Sequence, residues 1–149
     1  MLQGRVKFVE HTADLEFDAE AGGLDGLFEI CAQTLFQAMM EEDLTRTVVP
    51  RVNRTILAEG KDLEALLYSF LEKLLILHDS ERMVFSVFSF KEFVETKTGW
   101  TCECECGGET WDSRKMTGTE NVKAVTYHDM KVRKDTATGL WTARVLLDI

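Results

Sequence analysis

Alternation of apolar and polar residues, the pattern of a half-buried strand, recurs through much of the chain. The clearest case is Leu140–Ile149, where every second residue from Trp141 to Ile149 is apolar and Asp148 points to the opposite side. Seven segments are predicted to be strands on this basis: Val6–Val9, Leu15–Ala19, Val52–Ala58, Met83–Phe93, Trp100–Cys106, Val122–Val132 and Leu140–Ile149.

Apolar residues at three-and-four spacing predict two amphipathic helices. The first runs from Leu24 to Met40, and the second follows Asp62, whose side chain can cap a helix N-terminus. The polar stretch Gly107–Asn121 is predicted to be a connection. The order ββαβαββββ predicts a single α+β domain over residues 1–149, with both helices packed on a largely antiparallel sheet.

Carboxylates collect near both ends of the chain. In the final predicted strand, the Asp148 side chain adjoins the free carboxylate of Ile149, the last residue of the sequence. In the second strand, Asp14, Glu16 and Asp18 share the polar face. Oxygen ligands of this kind suit calcium, magnesium or manganese, although alternating acids also mark the wet face of an ordinary strand.

Three of the four cysteines, Cys102, Cys104 and Cys106, alternate along one predicted strand. The spacing C-x-C-x-C does not match the paired knuckles of a structural zinc site. Buried, reduced thiols on a core face are the favoured interpretation, with no disulfide expected.

Composition limits the classes of function. A formal net charge of −9 argues against an extensive basic surface for nucleic acid, so no direct stable nucleic-acid binding is expected. No apolar run is long enough to span a membrane, and the N-terminus lacks the apolar core of a signal peptide. We therefore expect an intracellular protein, cytoplasmic or also nuclear if eukaryotic, with no membrane partner.

Common catalytic motifs are absent: there is no P-loop, dinucleotide-binding fingerprint, H-E-x-x-H or G-x-S-x-G. Of the three histidines, His11 lies three residues before Asp14, while His128 follows Tyr127 in a predicted strand and is interpreted as structural. One hypothesis for function is a small metal-dependent hydrolase, with Asp14 and Asp148 as ligands and His11 as general base.

Four ordered segments resemble the archease family. They are His11–Asp14 (H-T-A-D), Asp62–Leu67, Gly118–His128 and the terminal Val145–Ile149. The resemblance extends from about Val6 to the last residue, and the spacing of the segments is compatible with the family. It departs from the family at Lys73, where related helices often carry an acid.

The resemblance implies a non-enzymatic accessory protein of the RtcB-type RNA ligase in tRNA splicing. Archeases promote guanylylation and multiple turnover of that ligase. The implied metal site consists of Asp14, Asp148 and a main-chain oxygen of Ile149, with His11, Glu72 and His128 as supporting residues. Calcium is the ion expected in a structure, with magnesium or manganese as alternatives. Glu72 could replace the acid missing at Lys73.

Overall fold

The computed structural model describes residues 4–10 and 14–149, which form a single α+β domain. The predicted fold class is therefore confirmed. The strands are β1 (Gly4–Glu10), β2 (Asp14–Ala21), β3 (Val52–Gly60), β4 (Met83–Thr96), β5 (Gly99–Thr110), β6 (Ala124–Lys134) and β7 (Trp141–Asp148). The helices are α1 (Leu24–Gln37), α2 (Leu44–Thr47) and α3 (Leu63–Glu81).

The strands form two antiparallel sheets rather than the single sheet that the sequence predicted. One has four strands in the order β1-β2-β7-β6, and the other has three in the order β3-β5-β4. In the four-stranded sheet, the final strand β7 lies between β2 and β6. The second and last strands are thus joined by a continuous ladder from residue 14 paired with residue 148 to residue 21 paired with residue 141.

Both long helices contact both sheets: α1 packs against β2 and β4, and α3 packs against β3 and β6. The apolar face of α3 is buried, with Leu66, Leu67, Phe70, Leu71 and Leu74 fully excluded from solvent. The Phe28 ring of α1 meets the Phe70 ring at a centroid distance of 6.0 Å. This apolar centre covers one face of each sheet.

The ends of α3 follow from local chemistry. Asp62 caps the N-terminus as predicted, because its carboxylate accepts a hydrogen bond of 2.8 Å from the Ala65 amide. At the other end, Arg82 adopts a left-handed conformation with φ of 57°, which turns the chain into β4. His78 lies in the last turn, where the helix dipole favours a basic side chain.

Several predicted boundaries were wrong, and one short helix was missed. The first helix ends at Gln37 instead of Met40, since Met40 forms an isolated bridge with Gly118. The four-residue helix α2 was not predicted, although Asp43 caps it. Finally, β5 continues to Thr110 through the segment assigned to a polar connection, because Gly107, Gly108 and Glu109 pair with β4.

Glu109 is a buried carboxylate that holds together three parts of the chain. It accepts hydrogen bonds of 2.5 Å from the Val49 amide and 2.7 Å from Lys115 Nζ, and Arg51 lies 3.6 Å away. Burial acts to raise the pKa of Glu109, but the hydrogen bonds from Lys115 and Val49 outweigh it and hold the pKa below 4.5. The charged form is therefore favoured in the folded state.

We predict that Glu109→Gln lowers the free energy of unfolding at neutral pH by about 1.5–3 kcal/mol, the range for hydrogen bonds to charged groups. Because the pKa of Glu109 is lowered on folding, its contribution is present above about pH 4.5 and is lost as the pH falls through the lower, folded-state value. The free energy of unfolding of both proteins is measured with denaturant at neutral and at acidic pH. The difference between wild type and variant should be present at neutral pH and should disappear in acid. The exposed Glu120→Gln is the matched control; a difference that stays constant with pH would contradict the prediction.

Candidate functional site

The exposed face of the four-stranded sheet, here called the outer face, carries the predicted acidic residues. Alternate residues of β2 face the core, among them Phe17 and Ala19, so Asp14, Glu16 and Asp18 lie on the opposite side. In β7 the same alternation buries Val145 and Leu147 and places Asp148 on the outer face. The side-chain orientation predicted from the sequence is correct for both strands.

The pairing of β2 with β7 places Asp14 directly opposite Asp148. In an antiparallel ladder, directly opposed residues have Cβ atoms roughly 4.5–5.5 Å apart. The two carboxylates are therefore close enough for one ion to contact both. Because this proximity depends on the register, a one-residue slip would have turned either side chain to the other face.

No described basic side chain forms an ion pair with Asp14 or Asp148. Like charges that face each other across a ladder destabilise it. A cation between the carboxylates would remove this repulsion, and carboxylate oxygens are the donors that calcium and magnesium prefer. The arrangement thus fits a hard divalent ion.

The backbone at the end of β7 is held in place on both sides. The Asp148 carbonyl accepts a hydrogen bond of 2.7 Å from the Lys123 amide, just before β6. The half-buried Ile149 packs against the apolar core. The main-chain oxygens of this segment therefore belong to an ordered part of the sheet, adjacent to the acidic pair.

The side chains that the structure describes include no group of three or more His, Cys, Asp and Glu residues placed to hold one ion. Asp14 and Asp148 alone cannot fill the six or more positions of calcium or magnesium. Water and main-chain oxygen must supply the rest, so the predicted ligand set of Asp14, Asp148 and Ile149 stays a prediction.

Among the described residues, neither Glu72 nor His128 joins this pair in a group of three that could hold one ion. His11 lies outside the described residues. Glu72, on α3, accepts a 2.5 Å hydrogen bond from the Tyr68 hydroxyl. His128 is exposed in an irregular segment of β6 beside Asp129, with 3.4 Å between Nε2 and Oδ2. Their predicted role as supporting ligands is untested.

Glu16 corrects one expectation from the sequence. It lies on the outer face as predicted, but it is 6% exposed rather than solvated. Its Oε1 atom lies 3.9 Å from Nε of Arg144, which neutralises part of its charge. Strand alternation identifies the face of a residue, but burial on that face depends on neighbouring side chains.

Arg144 is a site residue that the sequence analysis missed. Its guanidinium donates to both carboxylate oxygens of Asp18, at 2.8 and 3.1 Å. This hydrogen bonding lowers the pKa of Asp18 and raises the pKa of Arg144. The sequence does show that Arg144 and Asp148 are four residues apart and therefore lie on one face of a strand. It does not show that Arg144 lies opposite Asp18, because that depends on how β7 pairs with β2.

The cysteines behave as the favoured interpretation predicted. Cys102, Cys104 and Cys106 lie on the core face of β5, and all three are buried and free. Burial raises the pKa of the Cys102 thiol to about 12, so the reactive thiolate is disfavoured. These residues act as small apolar groups in the core.

Lys73, the position at which the sequence departs from the family pattern, is exposed on α3.

No helix in the described part of the chain is both long enough and apolar enough to cross a membrane.

Comparison with known proteins matches this chain to one family along nearly its whole length. Residues 7–149 match the model of the archease protein family (MTH1598/TM1083). The chain is 40% identical over 145 residues to Protein archease of Thermococcus gammatolerans, covering 97% of this chain and 99% of that protein. It is 41% identical over 141 residues to Protein archease of Pyrococcus furiosus, covering 94% and 95% of the two chains.

A solved structure is similar in fold along the same length. It is the solution structure of Methanobacterium thermoautotrophicum protein 1598, which superposes with a TM-score of 0.78 at 30% sequence identity. The match covers 97% of this chain and 98% of the other.

We predict that calcium stabilises the wild-type protein but neither Asp14→Asn nor Asp148→Asn. At a free calcium concentration 100 times Kd, the wild type should gain about 2.7 kcal/mol relative to chelator. Thermal unfolding with calcium and with chelator measures this difference. Asp79→Asn, an exposed acid on α3, is the matched control and should keep the calcium response. An equal calcium response in Asp14→Asn and wild type would show that the ion binds elsewhere.

Proposed function

Because the chain belongs to the archease family, we propose that it activates an RtcB-type RNA ligase in tRNA splicing and does not itself ligate RNA. In this role it promotes guanylylation of the ligase and allows repeated turnover. The observation that carries the proposal is the facing pair Asp14 and Asp148 at one end of the outer face, in a chain that matches the family from residue 7 to residue 149.

The proposed metal site uses the two carboxylates and a main-chain oxygen of Ile149. Calcium, magnesium and manganese all accept such oxygen donors, and water completes the coordination. A bound divalent ion supplies positive charge that offsets the carboxylate repulsion and can attract an anionic group of the partner. The chain's own contribution is the rigid ladder, which holds two donors in place before the ion binds.

Charge complementarity supports a ligase as partner. A ligase that joins RNA ends must bind phosphates and is expected to be basic around its site. This protein has a net charge of −9, so long-range attraction favours their encounter. The acidic pair lies at one end of the two central strands of this sheet, on the face opposite the core that the long helices cover.

We predict that Asp14→Ala and Asp148→Ala each abolish activation of a cognate ligase while the protein remains folded. Both side chains lie on the outer face, so their loss removes little core packing. The assay uses limiting ligase, excess RNA, GTP and manganese, and it measures guanylylated ligase and joined RNA with and without this protein. Asp79→Ala, which removes an acid from α3, should activate like wild type.

The same ligation assay can also contradict the activator proposal. If the wild-type protein does not raise the yield above the single turnover of the ligase alone, the activator proposal is wrong. The hydrolase hypothesis requires a different result, namely phosphoester turnover by the isolated protein above a metal-only control, lost in Asp14→Ala. Removing a general base in His11→Ala should then lower that rate by about 10²–10⁴-fold.

A further inference from the structure

Basic side chains form a second feature of the outer face, away from the acidic pair. Two rows of residues cross the four-stranded sheet in register. From β1 to β6, they are Lys7, Asp18, Arg144 and Lys131 in the first row, and Arg5, Glu20, Thr142 and Arg133 in the second. We call these two rows the basic rows; they line a shallow groove of 710 Å³.

The basic side chains on the two sides of the basic rows differ in whether a carboxylate lies next to them. On the β1–β2 side, Arg5 forms an ion pair with Glu20, and Lys7 faces Asp18. On the β6–β7 side, Lys131 lies opposite Arg144, and neither Lys131 nor Arg133 forms an ion pair with a described residue. Arg144 is paired with Asp18 and lies 3.9 Å from Glu16, so the positive charge that no described carboxylate pairs belongs to Lys131 and Arg133.

Direct opposition of like charges destabilises a ladder. At Lys131 and Arg144 the only carboxylate in the row is Asp18, and its two oxygens are occupied by the Arg144 guanidinium. An anion placed over β6 and β7 would contact Lys131 and Arg133, which are separated by two residues, or about 6.8 Å along the strand. Such an anion would pair the two positive charges that no described carboxylate contacts.

The composition of the basic rows favours nucleic acid over protein as that ligand. Protein interfaces have an apolar core with aromatic anchors, whereas nucleic-acid interfaces are more polar and much more positively charged. All eight side chains of the basic rows are polar or charged, and none of the large exposed apolar side chains belongs to them. The absence of a stacking ring among these eight residues points to contact with the backbone rather than with bases.

We propose that the basic rows bind the phosphodiester backbone of an RNA strand, with Lys131 and Arg133 as the principal phosphate contacts. The choice of RNA rests on the proposed function, while the phosphate contact rests on the charges of the surface. The net charge by itself predicted no stable nucleic-acid binding; the distribution of that charge leads instead to binding that is weak and sensitive to salt. The rows lie on the same face as Asp14 and Asp148, about 14 Å along β7 from Arg144 to Asp148.

The test measures binding of the isolated, full-length protein to a short, fluorescently labelled single-stranded RNA at several salt concentrations. A plot of log binding constant against log salt concentration has a negative slope. In the double variant Lys131→Gln/Arg133→Gln, the magnitude of this slope should fall by about 1.4, or 0.7 for each cation lost. At about 0.1 M salt this corresponds to roughly 25-fold weaker binding. Lys61→Gln/Lys97→Gln removes the same charge from exposed positions outside the basic rows and should bind like wild type.

Two further measurements are needed. One tests whether binding depends on the charges or on the particular side chains, and the other tests whether the surface prefers phosphates or carboxylates. Lys131→Arg/Arg133→Lys keeps both charges and should retain RNA binding. Polyglutamate is the carboxylate probe, and it should bind more weakly than RNA. The proposal is overturned if wild type does not bind RNA at low salt, if both Gln variants lose affinity equally, or if polyglutamate binds and RNA does not. Since no ligase is present, these outcomes are independent of ligase activation.

Discussion

The antiparallel register between β2 and β7 is the constraint on which the rest of the structure depends. It joins the second strand of the domain to the last and places Asp14 opposite Asp148. The same register places Asp18 opposite Arg144, so one ladder creates both the acidic pair and the ion pair beside it. Because strand side chains alternate with a period of two, the register could not slip by one residue without burying charges.

The ladder is maintained by the core on its inner side. Phe17 and Val145 face each other in register and are fully buried, while α1 packs against β2 and contacts β7. The residues that fix the register are thus apolar and separate from the charged residues that it positions. Because of this separation, we expect changes at Asp14 and Asp148 to leave the fold intact.

Much of this arrangement could be predicted from the sequence. In the described part of the chain, periodicity identified the seven strands and both long helices, and alternation placed Asp14 and Asp148 on the outer side of their strands. Division into two sheets could not be predicted, because local patterns do not specify which strands pair. The burial of Glu16 and the ion pair of Arg144 were missed for the same reason, as both depend on neighbours across the ladder.

The proposed function depends most directly on an ion held between Asp14 and Asp148. A crystal structure of the protein grown with calcium tests this. We expect one calcium ion contacting a carboxylate oxygen of each residue at about 2.3–2.6 Å, together with a main-chain oxygen of Ile149 and water. Carboxylates turned away from each other at saturating calcium, or an ion held only elsewhere on the protein, would contradict the account.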